Sequence, residues 1–207
     1  MHDVLIWVAL TMALLPLLGA IIAGIIGKQL GQIATHRLLI TMVGVAFLFS
    51  IYLFNMIVRD GQPALEKTFY VWGTAGIFEF TVAFLLDKLS ITMSVIVLFV
   101  SLMVHIYTVG YMKEDPGYQR FFSYVSLFTF SMLILVLANN FLLLFFGWEG
   151  VGLVSYLLIG FWFKREPAIL GSLKAFLVNR IGDMGFVLAM AAILMHFGTL
   201  NYHDDFL

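Results

Sequence analysis

The sequence contains no cysteine and few charged residues. Without cysteine in its 207 residues, the chain has no disulfide, thiolate zinc site, cysteine-ligated iron–sulfur cluster or cysteine nucleophile. Charged residues make up 11% of the sequence, and 11 basic residues balance 12 acidic ones. The chain therefore lacks the excess of basic residues that nucleic-acid binding requires, and we expect no nucleic-acid partner.

Apolar residues dominate what remains. They form 62% of the chain, and the mean hydropathy is +1.04. An ordinary soluble domain is about 45–50% apolar and about 25% charged. A soluble globule of this size could not bury so much apolar surface, so the composition excludes a soluble enzyme and indicates a protein of the lipid bilayer.

Six stretches are long and apolar enough to cross a bilayer, which requires roughly 17–25 residues. The sequence therefore predicts an all-α polytopic membrane protein with about six transmembrane helices. The predicted spans cover residues 4–26, 38–58, 89–111, 121–138, 141–163 and 169–195.

The loop between the second and third predicted helices has the pattern of β-structure. Apolar and aromatic residues alternate in the segment 69–72, glycines follow at 73 and 76, and the period of two resumes from Phe78 to Leu86. This pattern predicts a β-hairpin at about residues 67–86. Because open sheet edges are not tolerated in lipid, we expect the hairpin outside the membrane. An irregular loop with interfacial aromatic residues is the alternative.

The distribution of basic residues in the loops predicts the orientation. One side of the predicted membrane holds six basic loop residues and the other holds three, and the richer side is expected to be cytoplasmic. The N-terminus is then outside. The first group is Lys28, Arg37, Lys113, Arg120, Lys164 and Arg165; the second is Arg59, Lys67 and Lys88.

Glu149 is the only charged residue in the fifth predicted helix. A charge in the hydrocarbon costs at least about 2.5–3.5 kcal/mol on insertion scales, so its presence needs a reason. It has no partner on its own helix, and its charge state depends on whatever the neighbouring helices bring to it. This suits a group that takes up and releases a proton. A permanently protonated glutamate, or one in a static ion pair, is the structural alternative.

The sixth predicted helix carries Lys174, Arg180 and Asp183. Arg180 lies three residues before Asp183 and on the same face, so the two can pair and lower each other's insertion cost. The helical rise per residue predicts that Asp183 lies at a membrane depth similar to that of Glu149, which is on the neighbouring antiparallel helix. A static Arg180–Asp183 pair remains an alternative to a working one. Lys174 is near the inner end, where its amine can reach the interface.

No other chemistry is visible in the sequence. It has no Walker motif, dinucleotide fingerprint, catalytic triad or cluster with metal-ligand spacing, so we expect no metal site. His105 and His196 are predicted near opposite membrane faces and cannot hold one haem between them. The predicted chemistry is therefore proton or cation transfer.

Three segments carry a resemblance to a known family. GWEGVGLVSYLLIGFWF (147–163) and KAFLVNRIGDMGF (174–186) closely resemble subunit L (chain 5) of the proton-pumping NADH:quinone oxidoreductase, respiratory complex I. FLLDKLSITM (84–93), with the hairpin before it, is similar to the N-terminal signature of that family. The family is related to the large subunits of multisubunit cation/proton antiporters.

The resemblance implies a bundle of inverted helical repeats built around ionisable residues near the midplane. It implies that Glu149, Asp183 and Arg180 take part in proton translocation, with Lys174, Trp148 and Asn179 as supporting residues. It divides the chain into an N-terminal region at 1–120 and the start of an antiporter-like module at 121–207. The family's chains are much longer, so the resemblance implies that a partner lysine and a second repeat are supplied beyond this sequence.

The resemblance also implies partners and a location. No cofactor is expected in this chain; NADH, FMN, iron–sulfur clusters and quinone are expected in partner subunits. The partners are the other membrane subunits and the lipid bilayer, and the location is a bacterial inner membrane. Two other functions remain open: a cation/proton antiporter without a redox partner, and a helical scaffold whose buried charges only fix packing.

Overall fold

The computed structural model describes residues 2–75 and 78–202. Within them, five helices are long and apolar enough to cross a membrane. They are α1 (His2–Phe54), which a π-helical turn (Asn55–Arg59) extends, α2 (Lys88–Tyr111), α3 (Tyr118–Leu137), α4 (Phe141–Ile159) and α5 (Glu166–Phe197). The predicted all-α membrane fold is confirmed.

The first two predicted helices both lie in α1. The helical stretch His2–Arg59 has 58 residues, which at 1.5 Å per residue is about 87 Å and far exceeds a bilayer core of about 30 Å. The backbone leaves helical geometry at Gly31, with φ of 77° and ψ of 171°. Only glycine adopts such a conformation readily. Leu39 after the break packs against Gly19 before it, so α1 is two limbs that fold back on each other. Together with α2–α5, these limbs correspond to the six predicted spans.

The predicted hairpin is also confirmed. Strands β1 (Leu65–Ala75) and β2 (Phe78–Leu86) pair in a two-stranded sheet. The ring of Phe69 on β1 meets that of Phe84 on β2 edge-on, with centroids 5.1 Å apart. The connection predicted as a glycine-rich turn includes Gly76, which lies outside the described residues.

The chain forms two compact units. Unit 1 comprises residues 1–65 and 86–133, and unit 2 comprises residues 66–85 and 134–207. In unit 1, α2 begins with a capping box, in which Asp87 and Ser90 each accept a hydrogen bond from the other's backbone N–H. This pattern fixes the start of the helix.

His105 is buried inside unit 1 and joins α2 to α3. Its Nδ1 lies 2.8 Å from the Ser101 carbonyl and its Nε2 lies 3.0 Å from Ser126 Oγ. Since a carbonyl only accepts, Nδ1 carries the proton and Nε2 accepts from the hydroxyl. Both ring nitrogens are satisfied within the protein, which accords with a structural role for this histidine. His196, in unit 2, is exposed.

In unit 2, α4 and α5 pack together. Asn140 caps the start of α4, and its side chain accepts from Leu143 N at 2.7 Å. Pro167 stands in the first turn of α5, where its missing N–H costs nothing. Gly198 ends α5 with φ of 75°, the left-handed conformation that closes many helices.

Candidate functional site: an ion-pair triad between α4 and α5

The charged residues of α4 and α5 meet. The guanidinium of Arg180 on α5 donates through Nη1 to Glu149 Oε2 on α4. The same nitrogen lies 3.3 Å from Asp183 Oδ2, one turn further along α5. The sequence-predicted Arg180–Asp183 pair is therefore present, and Arg180 also supplies the partner that Glu149 lacks on its own helix.

The two carboxyl groups differ in their surroundings. The Asp183 side chain is 7% exposed, that of Glu149 is 22% exposed and that of Arg180 is 37% exposed. The indole N–H of Trp148 donates to Asp183 Oδ1 at 2.9 Å. Asp183 is thus hydrogen-bonded through Oδ1, whereas its buried Oδ2 is near Arg180 but accepts no hydrogen bond from residues 2–75 and 78–202. Glu149 is bound through Arg180 alone among its described contacts.

The charge count of this triad matters chemically. Two carboxylates and one guanidinium carry one excess negative charge, and the triad becomes neutral overall when it holds one proton. Uncompensated charge is costly away from water. Among the described charged groups, the two carboxylates therefore share a single cation.

Aromatic rings hold Arg180 and Trp148 in place. The guanidinium lies over the ring of Phe176, with Cζ 4.7 Å from the ring centroid, a favourable cation–π position. The indole of Trp148 stacks parallel to Phe186 at 6.5 Å, and Phe186 also stacks on Phe145 at 5.4 Å. The donor to Asp183 is therefore fixed by packing.

Glycines on α4 allow close packing. A Cβ at Gly147 would lie 2.5 Å from the backbone nitrogen of Leu135 on α3, and a Cβ at Gly152 would overlap the Asn179 amide. Helix α4 remains regular through both positions. The geometry at these glycines therefore supports a role in close helix packing.

The three predicted supporting residues differ in whether they contact the triad. Trp148 touches it directly, and Asn179 packs on Gly152 one turn from Glu149. Lys174 is exposed and forms no ion pair within residues 2–75 and 78–202. No group of three or more histidine, aspartate or glutamate side chains in this described part is arranged to hold a metal ion.

A cavity of about 190 Å³ lies beside the triad, between α4 and α5. Its lining combines aromatic, small polar and small apolar residues, and it includes two of the three predicted supporting residues, Trp148 on α4 and Asn179 on α5. The lining residues are Trp148, Val151, Gly152, Ser155, Tyr156, Ala175, Phe176 and Asn179.

Sequence reasoning missed two contributors. Phe176 was not singled out, although it lies four residues before Arg180, the spacing at which helical side chains meet. Asn140 was also missed; an asparagine directly before an apolar helix is a recognisable capping signal.

Comparisons with known proteins identify related families. Residues 72–122 match the family model described as NADH-Ubiquinone oxidoreductase (complex I), chain 5 N-terminus. Residues 138–205 match the model described as NADH:quinone oxidoreductase/Mrp antiporter, TM. The second match contains Glu149, Arg180 and Asp183.

Curated relatives agree with these models. The chain is 50% identical over its whole length to NADH-quinone oxidoreductase subunit L of Neisseria meningitidis, and it spans 31% of that protein. It is 43% identical over 95% of its length to NADH-ubiquinone oxidoreductase chain 5 of Podospora anserina, of which it spans 30%. The chain therefore spans about a third of the length of these relatives.

Solved structures share the fold. The membrane-bound sulfane sulfur reductase, an archaeal respiratory membrane complex, superposes with a TM-score of 0.78 at 20% identity, over 94% of this chain and 38% of the matched one. The Mrp complex from Dietzia sp. superposes with a TM-score of 0.76 at 22% identity, over 97% of this chain and 20% of the matched one. The two family matches together cover more than half of the sequence, and the chain is similar along its whole length to NADH-quinone oxidoreductase subunit L.

Proposed function

We propose that this chain is part of the proton-translocating membrane subunit L (chain 5) of NADH:quinone oxidoreductase, and that Glu149 is its proton-carrying group. The observation that carries the proposal is the contact of Arg180 with Glu149 between two membrane-length helices. It lies inside the segment that matches the oxidoreductase and antiporter model.

In this proposal, residues 1–120 form an N-terminal region and residues 121–207 begin the translocating module. Electron transfer from NADH to quinone takes place in other subunits, which hold FMN and the iron–sulfur clusters. The partners of this chain are the other membrane subunits and the lipid. The complex lies in a bacterial inner membrane with the N-terminus of this chain outside.

The proposed mechanism follows from the triad. When the Arg180 guanidinium bonds Glu149, the carboxylate is stabilised in its charged form. When Arg180 turns toward Asp183, Glu149 loses its cation in a poorly hydrated place and takes up a proton. The return of the guanidinium releases it. The lysine that the family resemblance implies beyond this sequence would compete with Arg180 for Glu149.

A cation/proton antiporter subunit is the alternative. The fold likeness to the Mrp complex suits both functions. Sequence identity favours the oxidoreductase, because it reaches 50% with subunit L and 22% with the matched chain of the Mrp complex. An antiporter subunit would exchange sodium for protons without NADH.

The test replaces Glu149 by glutamine in the complete complex, reconstituted in proteoliposomes. We expect Glu149→Gln to assemble normally and to pump fewer protons per NADH oxidised than the wild type. Glu166→Gln is the matched control, because Glu166 is exposed in the first turn of α5. Unchanged pumping in Glu149→Gln would refute the proposed role.

A further inference from the structure

A second polar cluster lies in unit 2, at the turn between α3 and α4. It consists of Asn139 and Asn140, which are each 3% exposed, and is called the clasp below. Buried amides are expensive unless every donor and acceptor is paired. The hydrogen-bond partners of these two residues therefore show which segments the clasp joins.

Asn140 joins α4 to the hairpin. Its carbonyl oxygen caps α4 by accepting from Leu143 N at 2.7 Å. Its amide donates to the Thr81 carbonyl on β2 at 3.1 Å and to Asn139 Oδ1 at 2.6 Å. One side chain thus bonds the first turn of α4, the second strand and its own neighbour.

Asn139 extends the same connection to two more segments. Its amide donates to Glu66 Oε1 on β1 at 2.6 Å, and its backbone N–H donates to the Ala83 carbonyl on β2 at 3.3 Å. Its carbonyl accepts from Tyr202 N at 3.1 Å, just beyond the end of α5. The Leu200 carbonyl accepts from Phe141 N at 3.0 Å beside it. The clasp therefore binds β1, β2, the start of α4 and the segment after α5.

The clasp and the triad share a rigid helix. Glu149 lies nine residues after Asn140 in the regular helix α4, which is roughly 13 Å along the axis and two and a half turns. A displacement or rotation at Asn140 is therefore transferred to Glu149. Arg180 is on α5, whose trailing segment is bonded to the same clasp, so the clasp contacts both elements that carry the ion pair.

We propose that Asn139 and Asn140 are positioning residues that set the register of Glu149 against Arg180 and couple it to the hairpin. The consequence for pumping rests on the function proposed above, whereas the consequence for geometry does not. The charged groups that face Glu149 in the described part of unit 2 are Arg180 and Asp183 on α5. On α3, the close neighbour of α4 is Leu135, which carries no charge.

The test uses the complete complex in proteoliposomes and a pair of exchanged partners. Asn139→Asp places a second carboxylate against that of Glu66. Adding Glu66→Gln restores the hydrogen bond in the opposite direction, because the amide is then at position 66 and donates to the carboxylate at position 139. We expect Asn139→Asp to lower the pumping rate per assembled complex roughly fivefold, which corresponds to about 1 kcal/mol, and the double variant to recover at least half of the loss. Asn55→Ala, a half-exposed asparagine bonded only within its own helix, is the control.

A second readout separates positioning from general support of the fold. If the clasp positions Glu149, then Asn139→Asp and Asn140→Ala shift the pH midpoint of pumping in the same direction as Arg180→Gln. A lower rate with an unmoved midpoint, or no recovery in the double variant, overturns the proposal. If Asn140→Ala does not assemble, the exchanged pair and Asn140→Ser, which keeps a capping oxygen but cannot reach β2, decide the question.

A structure of the Asn140→Ala or Asn140→Ser complex gives the geometric readout. The proposal expects the Arg180–Glu149 contact to lengthen or break, and an unchanged contact contradicts it. Failure of the proposed function itself is seen separately, as normal pumping in Glu149→Gln.

Discussion

Arg180 on α5 bonds the Glu149 carboxylate on α4, while remaining 3.3 Å from Asp183 on its own helix. One cation thus stands between two acids of unequal exposure. Trp148 donates to Asp183, whereas the described contacts hold the Glu149 carboxyl through Arg180 alone and leave it more exposed. This asymmetry makes Glu149, rather than Asp183, the proposed carrier.

Removing the indole donor of Trp148 tests whether its hydrogen bond to Asp183 supports the triad. Trp148→Phe keeps the ring stack on Phe186 but leaves Asp183 Oδ1 without its donor. An unsatisfied buried acceptor costs about 1–3 kcal/mol, so we expect a lower melting temperature of the complex and slower pumping. Tyr156→Phe, which also lines the cavity, is the control and should leave both values unchanged. A Trp148→Phe complex with wild-type stability and pumping would show that this bond does not support the triad.

Replacing charged residues of the triad by apolar ones tests whether the charges serve only packing. If its charges serve only packing, then replacing Arg180 and Asp183 together by leucine should preserve pumping, because well-packed apolar groups often replace buried ion pairs without loss. We expect normal assembly and a pumping rate at least tenfold lower, which is about 1.4 kcal/mol or more. Proton uptake per NADH in proteoliposomes gives the answer, with complex abundance in the membrane as the assembly control. Normal pumping would favour the scaffold interpretation.

Close approach of α3 and α4 makes Gly147 intolerant of a side chain. Gly147→Ala places a Cβ 2.5 Å from the Leu135 backbone, and backbone cannot move aside as a side-chain tip can. Overpacking of this kind costs about 1–3 kcal/mol, so the amount of assembled complex should fall. The matched control is Gly171→Ala, whose Cβ meets Ile159 at an ordinary 3.7 Å and which should assemble as well as the wild type. Equal abundance of the two variants would contradict the packing role of Gly147.

Tyr202 gives a prediction outside the helices. Burial raises the pKa of its phenol to about 12, and its hydroxyl has no hydrogen-bond partner among residues 2–75 and 78–202. A raised pKa means that the folded state keeps the proton longer than the unfolded state, whose tyrosine ionises near pH 10. This contribution to stability is complete below about pH 10 and is lost as the pH rises toward 12.

We therefore expect Tyr202→Phe to be neutral or stabilising at pH 7 and to weaken the alkaline loss of stability between about pH 10 and 12. Melting temperatures across this range test the prediction. Tyr70→Phe, at an exposed tyrosine of the hairpin, is the control. A variant that loses stability at pH 7 would mean that the hydroxyl has a partner in the assembled complex.

Much of the fold could be predicted from the sequence because hydrophobic length is a strong signal. The spans at 89–111 and 121–138 differ from α2 and α3 by at most three residues at either end. The hairpin was predictable because alternation of period two is distinct from a helical repeat. The tight connection of the first two spans at Gly31 was not predictable, since nothing in the neighbourhood of Gly31 distinguishes a helical break from an ordinary loop.

The candidate site was predictable in its residues but not in its pairing. The free-energy cost of placing a charge in the bilayer singled out Glu149, Arg180 and Asp183. The spacing of Arg180 and Asp183 on one helix predicted that these two side chains form an ion pair. The contact with Glu149 depends on the rotation of α4 against α5, which the sequence does not encode locally. The clasp was missed for the same reason, because Glu66 is 73 residues from Asn139.

The central claim is that Glu149 changes its protonation during turnover. Infrared difference spectroscopy of the complete complex, oxidising NADH with quinone, tests it directly when the wild type is compared with Glu149→Gln. The account predicts a carboxyl band that appears and disappears with turnover in the wild type and is missing from the variant. Identical difference spectra of the two complexes, both actively pumping, would contradict it.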